Sequence, residues 1–387
     1  MFNDSKDREM PSNATISALC VTLGILAALT ASPTLAQAPS ETTQIGKLIS
    51  ELGLQEAPAP VRERPGWSRP KVIIVRDPAP KSIEWLREVA PGVELIVAND
   101  FPEAIAAAPK ADALIGFCTA DLLAQGVRVQ WIQLMSAGAE RCVSVPAVPE
   151  RDILVTNMQR VGGPVMAEHV MAMTLALARG LQTYVREQEA GRWNPDAVGD
   201  QGSPALQGKT MLIAGLGGIG TEVARRAHAF DMRIVATRAS NKPAPSYVSH
   251  VGPPAELITL LREADVIVNA LPLTEETKGV FDARAFAAMK PKALFINVGR
   301  GGTVVTADLS RALSEKRLGG AGLDVTDPEP LPPDSPLWKM SNVIITPHVS
   351  TDSDFGSERH WLIARENLRR YVAGEPMLSV VDIKRGY

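Results

Sequence analysis

Three short segments of the chain carry side chains able to hold an anion and pass a proton, and each follows an apolar run. Asn297-Val298-Gly299-Arg300-Gly301-Gly302 supplies a guanidinium, Gly322-Leu323-Asp324-Val325-Thr326-Asp327-Pro328-Glu329-Pro330 supplies carboxylates, and Ile345-Thr346-Pro347-His348 supplies an imidazole. Arginine grips carboxylates through a rigid planar donor fork. Histidine exchanges a proton near neutral pH. Taken singly, each residue has a plain structural reading: Arg300 as a helix cap, Glu329 as a solvated loop acid, His348 as a structural histidine after proline. Their shared position argues for the chemical reading. Ligand groups in an open α/β sheet collect at the carboxyl ends of its strands, so Arg300, Glu329 and His348 would meet on one edge.

A second constellation is Gly215-Leu216-Gly217-Gly218-Ile219-Gly220. A GxGxxG is weak evidence alone, but this one follows the apolar run Met211–Ala214 and opens a helical pattern, the context that dinucleotide binding requires. Gly215 permits the tight turn, Gly217 lets backbone approach a pyrophosphate, and Gly220 lets helix and strand pack closely. The helix start at Gly218 and Ile219 would offer amide donors and a favourable dipole to phosphates. The end of the next strand bears on which dinucleotide is held. Thr237-Arg238-Ala239-Ser240-Asn241-Lys242 has no acid to accept from ribose hydroxyls, while Arg238, Ser240 and Lys242 suit a 2′-phosphate. This favours NADP, with NAD as the alternative.

The elements that must position these groups alternate in type. From residue 71, strand-like runs at Lys71–Val75, Val93–Val97, Ala113–Phe117, Trp131–Met135 and Ile153–Thr156 are separated by helical spacing. A long apolar helix over Gly163–Leu181 leads into a second series, with strands at Thr210–Ala214, Arg233–Thr237, Val266–Asn269, Ala293–Val298, Gly322–Val325 and Val343–Thr346. Such alternation implies parallel βαβ units. The fold class is α/β, with two doubly wound parallel-sheet domains: a flavodoxin-like substrate domain, a six-stranded Rossmann cofactor domain, and a cleft between them. The expected division is 71–175 with 349–387 for the substrate domain and 176–348 for the cofactor domain. The helical tail Ser357–Tyr371 thus returns to the first domain. Residues 37–70, polar and proline-bearing, read as a linker with one short helix near Ile45–Leu52.

Composition narrows the function classes. The chain has 387 residues, 45% hydrophobic and 21% charged, as expected for a globular protein of two domains. A formal net charge of -3 gives no general attraction to nucleic acid or anionic membrane. Three cysteines without CxxC spacing, and five histidines, give a metal site little to draw on. Cys118 and Cys142 read best as small buried apolar residues, with a disulfide between them the alternative. At the N-terminus the apolar run Ile16–Thr30, followed by Thr34-Leu35-Ala36, reads as a signal peptide over residues 1–36 and points to export to the periplasm. The alternative is a plain extension of a cytoplasmic protein. No later segment is long and apolar enough to span a membrane.

These segments, with GLGGIG and Leu271-Pro272-Leu273-Thr274, resemble the D-isomer-specific 2-hydroxyacid dehydrogenase family from residue 70 onward. The ending Glu366-Asn367-Leu368-Arg369-Arg370-Tyr371 through Asp382-Ile383-Lys384-Arg385-Gly386-Tyr387 is similar to its glyoxylate and hydroxypyruvate reductase-like branch. The resemblance implies an NAD(P)-dependent interconversion of a small 2-keto acid and its D-2-hydroxy acid, with Arg300, Glu329 and His348 catalytic. In that chemistry His348 gives a proton to the oxygen as hydride reaches the carbon, Glu329 orients the ring, and Arg300 binds the carboxylate and polarises the carbonyl. It further implies that Leu271, Pro272, Val298, Gly299 and Asp324 lie at the cofactor, that backbone amides of Ser136-Ala137-Gly138 hold the substrate carboxylate, and that the protein is a homodimer. Phe117 is open to two readings, pocket wall or core. Gly162-Gly163-Pro164-Val165 departs from the commoner, more polar family wording at the approach to the hinge. A nucleotide-sensing, corepressor-like binding protein is the alternative, and the intact Arg/Glu/His set argues against it.

Overall fold

Parallel strands covered on both faces read as near-continuous apolar runs, and the strands of this chain do so. The structure, a computed structural model, describes residues 41–199 and 204–386; the expected signal peptide lies outside the described residues. The first sheet contains β1 (Val72–Arg76), β2 (Glu94–Ala98), β3 (Ala113–Ile115), β4 (Trp131–Gln133) and β5 (Leu154–Thr156). All its pairings are parallel, in the order β2-β1-β3-β4-β5, which is the flavodoxin-like arrangement. The second sheet contains β6 (Thr210–Ala214), β7 (Arg233–Thr237), β8 (Val248–Gly252), β9 (Val266–Asn269), β10 (Ala293–Asn297), β11 (Leu318–Leu323) and β12 (Val343–Ile345). Its order is β12-β11-β10-β9-β6-β7-β8, again all parallel. Every residue of β6 and β10 is buried. Order reverses between β6 and β9, so the switch-point crevice of a Rossmann domain lies where their carboxyl ends part.

The second sheet has seven strands rather than the six expected. The added one, β8, pairs only with β7 at the sheet edge, and Ser249 and His250 within it are exposed. An edge strand wet on one side carries no apolar run to betray it.

The C-terminal helix Gly356–Ala373 packs on the first domain, with Ile363, Ala364, Leu368 and Tyr371 buried beside Trp85, Leu86 and Trp131. The Tyr371 and Trp131 rings stack at 4.6 Å. Asn367 is fully buried and bridges the two segments: its Nδ2 donates to Gln133 Oε1 at 2.8 Å and to Leu378 O at 3.1 Å, and its Oδ1 accepts from Leu378 N at 2.9 Å. A buried amide is tolerated because each of its polar atoms is satisfied.

Four expectations need correction. The stretch read as a linker is folded from residue 41: helix Glu41–Leu52 and its successor put Leu48, Leu52, Leu54 and Val61 into the first domain's core, so it is not a spacer. The hinge helix ends at Ala178, and a second helix runs Leu181–Glu189. Met166, Val170, Met173 and Leu177 of that hinge helix pack with Met211, Ile213 and Ile296 of the cofactor sheet, which places its buried face with the cofactor domain rather than the substrate domain. Cys118 and Cys142 are joined in a disulfide with Cα atoms 5.4 Å apart, not held as free buried thiols. Phe117 is 1% exposed and packs edge-on against Phe101 in the core, so of its two readings the core prevails over the pocket wall.

Candidate active site

The glycine turn after β6 is shaped by what lies around each Cα. Gly215 has φ +97, and a Cβ there would come within 2.8 Å of Ala270 O across the switch point. A Cβ on Gly220 would run into the carbonyl oxygen of Gly215. Gly217 is the opposite case: it is exposed, with nothing within 4 Å of its Cβ position. The helix Gly218–Ala229 begins immediately after it, and Thr221 N, donating to Gly217 O at 3.0 Å, is its first amide to find an acceptor. Among the described residues the Gly218, Ile219 and Gly220 amides donate to no protein group. Open space before three free amides at a helix N-terminus fits a dinucleotide pyrophosphate.

At the end of β7, Arg238 is half-buried and its Nε donates to Ser240 O at 3.0 Å. Its two terminal nitrogens have no protein partner among the described residues. Across the switch point, a polar network fixes the turns after β9 and β10. Asn269 Nδ2 donates to Asn297 Oδ1 at 2.9 Å and Thr303 Oγ1 at 2.7 Å; Asn269 Oδ1 accepts from Leu271 N at 3.2 Å and Asn297 Oδ1 from Gly299 N at 3.1 Å. A Cβ on Gly299 would meet Leu271 O at 2.6 Å, so these two turns touch. Val298 is 1% exposed and its side chain is in the core, leaving only its backbone to face the crevice. Pro272 O accepts from Thr277 Oγ1 at 2.6 Å, which pins the Leu271-Pro272 turn.

His348 Nδ1 and Glu329 Oε1 are 2.6 Å apart, with the two side chains 46% and 43% exposed. The pair is therefore made but open to a ligand. His348 adopts φ +56, a region that non-glycine residues rarely enter without support. The support comes from Asp324, whose backbone O accepts from His348 N at 2.8 Å. The Asp324 carboxylate accepts from Thr346 Oγ1 at 2.7 Å, Val349 N at 3.0 Å and Ser350 N at 3.2 Å, clamping both flanks of the histidine. Its side chain is wholly buried. His169 Nε2 lies 3.0 Å from Thr346 Oγ1. Because the threonine hydroxyl hydrogen goes to Asp324, His169 Nε2 must be the donor there.

Arg300 bonds to neither member of that pair. Its Nε donates to Glu140 Oε1 at 2.8 Å and its Nη1 to Gly299 O at 2.8 Å. Its turn nevertheless abuts theirs: a Cβ on Gly301 would run into Thr326 O and lie 2.7 Å from Asp327 N, two residues before Glu329. A Cβ on Gly138 would collide with Arg300 Nη2, so the Ser136-Ala137-Gly138 loop lies directly under the guanidinium. Asn157 Nδ2 donates to Ala137 O at 2.6 Å and Ser136 Oγ to Gly138 O at 3.0 Å, while the Ala137 and Gly138 amides have no protein acceptor among the described residues. A guanidinium edge above two free amides can hold a carboxylate and leave donors for an adjacent carbonyl.

Glu140, His169, Asn269, Asn297 and Thr346 were not singled out from sequence. A polar residue at a strand end, as in Asn269 and Asn297, or a histidine within an apolar helix, as in His169, was the available signal. No group of residues suited to holding a metal ion exists among the described residues. No helix among them is long and apolar enough to cross a membrane.

Residues 171–350 match the model of the D-isomer specific 2-hydroxyacid dehydrogenase, NAD binding domain. A glyoxylate reductase of Aeropyrum pernix is 33% identical over 336 residues, 81% of this chain and 96% of that protein. A glyoxylate/hydroxypyruvate reductase B of Escherichia coli is 35% identical over 265 residues, 66% of this chain and 81% of that protein. Among solved structures, an NADPH-dependent glyoxylate/hydroxypyruvate reductase of Sinorhizobium meliloti, in complex with NADP and sulfate, superposes with TM-score 0.71 at 29% identity, covering 82% of this chain and all (100%) of that one. A D-lactate dehydrogenase of Aquifex aeolicus, complexed with NAD and lactic acid, shares the fold with TM-score 0.66 at 24% identity over 78% of this chain and 96% of that one. The chain thus belongs to the D-isomer specific 2-hydroxyacid dehydrogenase family and is an NAD(P)-dependent dehydrogenase of its glyoxylate/hydroxypyruvate reductase-like branch.

Proposed function

We propose that the protein reduces glyoxylate to glycolate, or hydroxypyruvate to D-glycerate, with NADPH, using Arg300, Glu329 and His348. The observation that carries this reading is the His348–Glu329 contact of 2.6 Å at the carboxyl ends of two strands, beside the turn that bears Arg300. The bound nicotinamide supplies the hydride. Gly217 and the amides of Gly218, Ile219 and Gly220 would hold the pyrophosphate, and the turns at Leu271-Pro272 and Val298-Gly299 would border the nicotinamide. The substrate carboxylate rests on the Ala137 and Gly138 amides. Arg300 donates to the 2-keto oxygen and stabilises the charge that develops there. Glu329 accepts a hydrogen bond from Nδ1–H of the protonated His348, and Nε2 gives its proton to that oxygen, leaving the ring neutral. Asp324 acts by holding the His348 turn rather than by meeting ligand with a free carboxylate, since its oxygens already accept three hydrogen bonds. A nucleotide sensor without turnover is not favoured: it has no use for a paired proton donor.

NADPH is the reading for the cofactor because β7 ends without an acid and, among the described residues, no protein group meets the Arg238 terminal nitrogens. The test is a panel of 2-keto acids with NADH and NADPH, run on wild type and on Arg238→Asp. Wild type should oxidise NADPH with glyoxylate or hydroxypyruvate, and the variant should lose about 10- to 100-fold in kcat/KM for NADPH, the worth of one or two charge-assisted hydrogen bonds. Absence of turnover with every keto acid would defeat the function, and an unchanged cofactor ratio would defeat the role of Arg238.

Export is the reading for location. It joins the signal-like N-terminal sequence to the Cys118–Cys142 disulfide, a bond that persists in oxidising compartments and is rare in the cytosol. N-terminal sequencing of the mature protein should begin near residue 37; retention of the apolar run would count against it.

A further inference from the structure

The Arg300 guanidinium is met by a carboxylate from the opposite domain. Glu140 starts the short helix Glu140–Val143 of the substrate domain, 160 positions from Arg300 in sequence. Arg300 is consequently held on two sides, Nε by Glu140 Oε1 and Nη1 by Gly299 O, each at 2.8 Å. Glu140 Oε2 lies 2.8 Å from the Cβ position of Gly138, and Arg300 Nη2 lies closer still to the same position. Among the described residues no protein acceptor meets Nη2 or the second hydrogen of Nη1, the outer edge of the guanidinium. The Arg300 and Glu140 side chains are 28% and 32% exposed, so solvent screens their attraction in part and geometry matters more than charge. Burial alone would push the Glu140 carboxyl up, but the Arg300 charge and hydrogen bond outweigh it and hold it below the ordinary carboxylate range. The helix under Glu140 is itself secured. Ala139 and Cys142 are 2% and 3% exposed, and Cys142 is bonded to Cys118.

We propose that Glu140 is a positioning residue: it turns Arg300 so that the outer guanidinium edge faces the 2-keto oxygen, and it makes that orientation depend on contact between the two domains. The inference rests on Arg300 being the substrate-binding arginine. Without Glu140 the guanidinium is free to present its full fork to the substrate carboxylate. That strengthens binding of the ground state while weakening donation to the developing oxyanion, a change that lowers kcat without raising KM. Loss of a packing or folding contact would instead lower the melting temperature or raise KM.

The test compares kcat, KM for glyoxylate, NADPH affinity and melting temperature in wild type, Glu140→Ala, Glu140→Gln and Glu140→Asp. Glu140→Ala should lose about 10- to 100-fold in kcat, the cost of misplacing a reacting group by an ångström or so, with KM equal or lower and NADPH binding unchanged. Glu140→Gln keeps an acceptor oxygen at the same reach and should recover most of the loss. Glu140→Asp keeps the charge but withdraws the acceptor, and should be the poorer of the two. Unchanged kcat in Glu140→Ala, a rise in KM at constant kcat, or Asp outperforming Gln overturns the proposal. The Gln and Asp comparison decides the matter even if the alanine variant does not fold. A wild-type protein that reduces no keto acid contradicts the role of Arg300 as well; wild-type turnover with an indifferent Glu140 overturns only the role of Glu140.

Discussion

Replacing His348 with alanine is expected to lower kcat for keto-acid reduction by about 100- to 10,000-fold, the span that positioned general acids contribute, while NADPH binds as tightly as before. Among the described residues the His348 side chain makes one polar contact, to Glu329, and its backbone turn is held by Asp324 through groups the substitution leaves in place. The fold should therefore survive. Glu329→Gln should produce a smaller loss, because a glutamine can still accept from Nδ1 but no longer offsets a positive imidazole. Since Glu329 acts through His348, the double variant should be no slower than His348→Ala alone, the mark of two residues working as one unit. Stopped-flow measurement of NADPH oxidation, with cofactor affinity read separately by fluorescence, checks all three. Additive losses in the double variant would mean that Glu329 has a separate task.

Arg300→Lys is expected to cost about 100- to 1,000-fold in kcat/KM although the charge is kept, the range found when a donor to a developing oxyanion is removed. Lysine presents a point charge with three rotatable donors, not a planar fork. It cannot meet Glu140, the Gly299 carbonyl and a substrate oxygen together, as Nε, Nη1 and the outer edge of Arg300 do. The loss should fall on both kcat and KM, because the same group binds the ground state and the transition state. Steady-state kinetics with glyoxylate decide this. Near-wild-type kcat/KM in the lysine variant would show that charge alone suffices and that the fork has no special function.

The parts of this molecule that were readable in its sequence share a physical cause. A strand in a doubly covered parallel sheet must be apolar throughout, so β6, β9 and β10 stand out, and the polar residues just past them are where a ligand crevice opens. Placing Gly215, Arg300, Glu329 and His348 at such ends needed only that rule. The start of the helix Gly218–Ala229 was readable because the glycine turn marks it. Other features depend on long-range pairing that no local pattern encodes. Glu140 follows an ordinary-looking loop, and nothing near it announces a partner 160 positions away. The Cys118–Cys142 bond joins residues 24 apart whose spacing fits no motif. Asp324 resembles a ligand-facing acid in sequence, but its bonds from Val349 N and Ser350 N, in the turn that follows the next strand, are not legible there. The stretch before β1 looked like a spacer because it is rich in proline and charge. Ile45, Leu48 and Leu52, spaced three and four apart, mark the short helix expected there; what the spacer reading missed is that this face is buried in the core.

The central claim is that Arg300, Glu329 and His348 act together on one face of a 2-keto acid lying on the Ser136–Gly138 loop. Reducing hydroxypyruvate with NADPH and determining the configuration of the glycerate formed tests it most directly. Hydride arriving at one face of a substrate pinned by the loop, Arg300 and His348 predicts a single enantiomer, and membership of a D-isomer specific family makes it D-glycerate, with that product lost in His348→Ala. Formation of L-glycerate or a mixture, or full activity without the imidazole, would contradict the account.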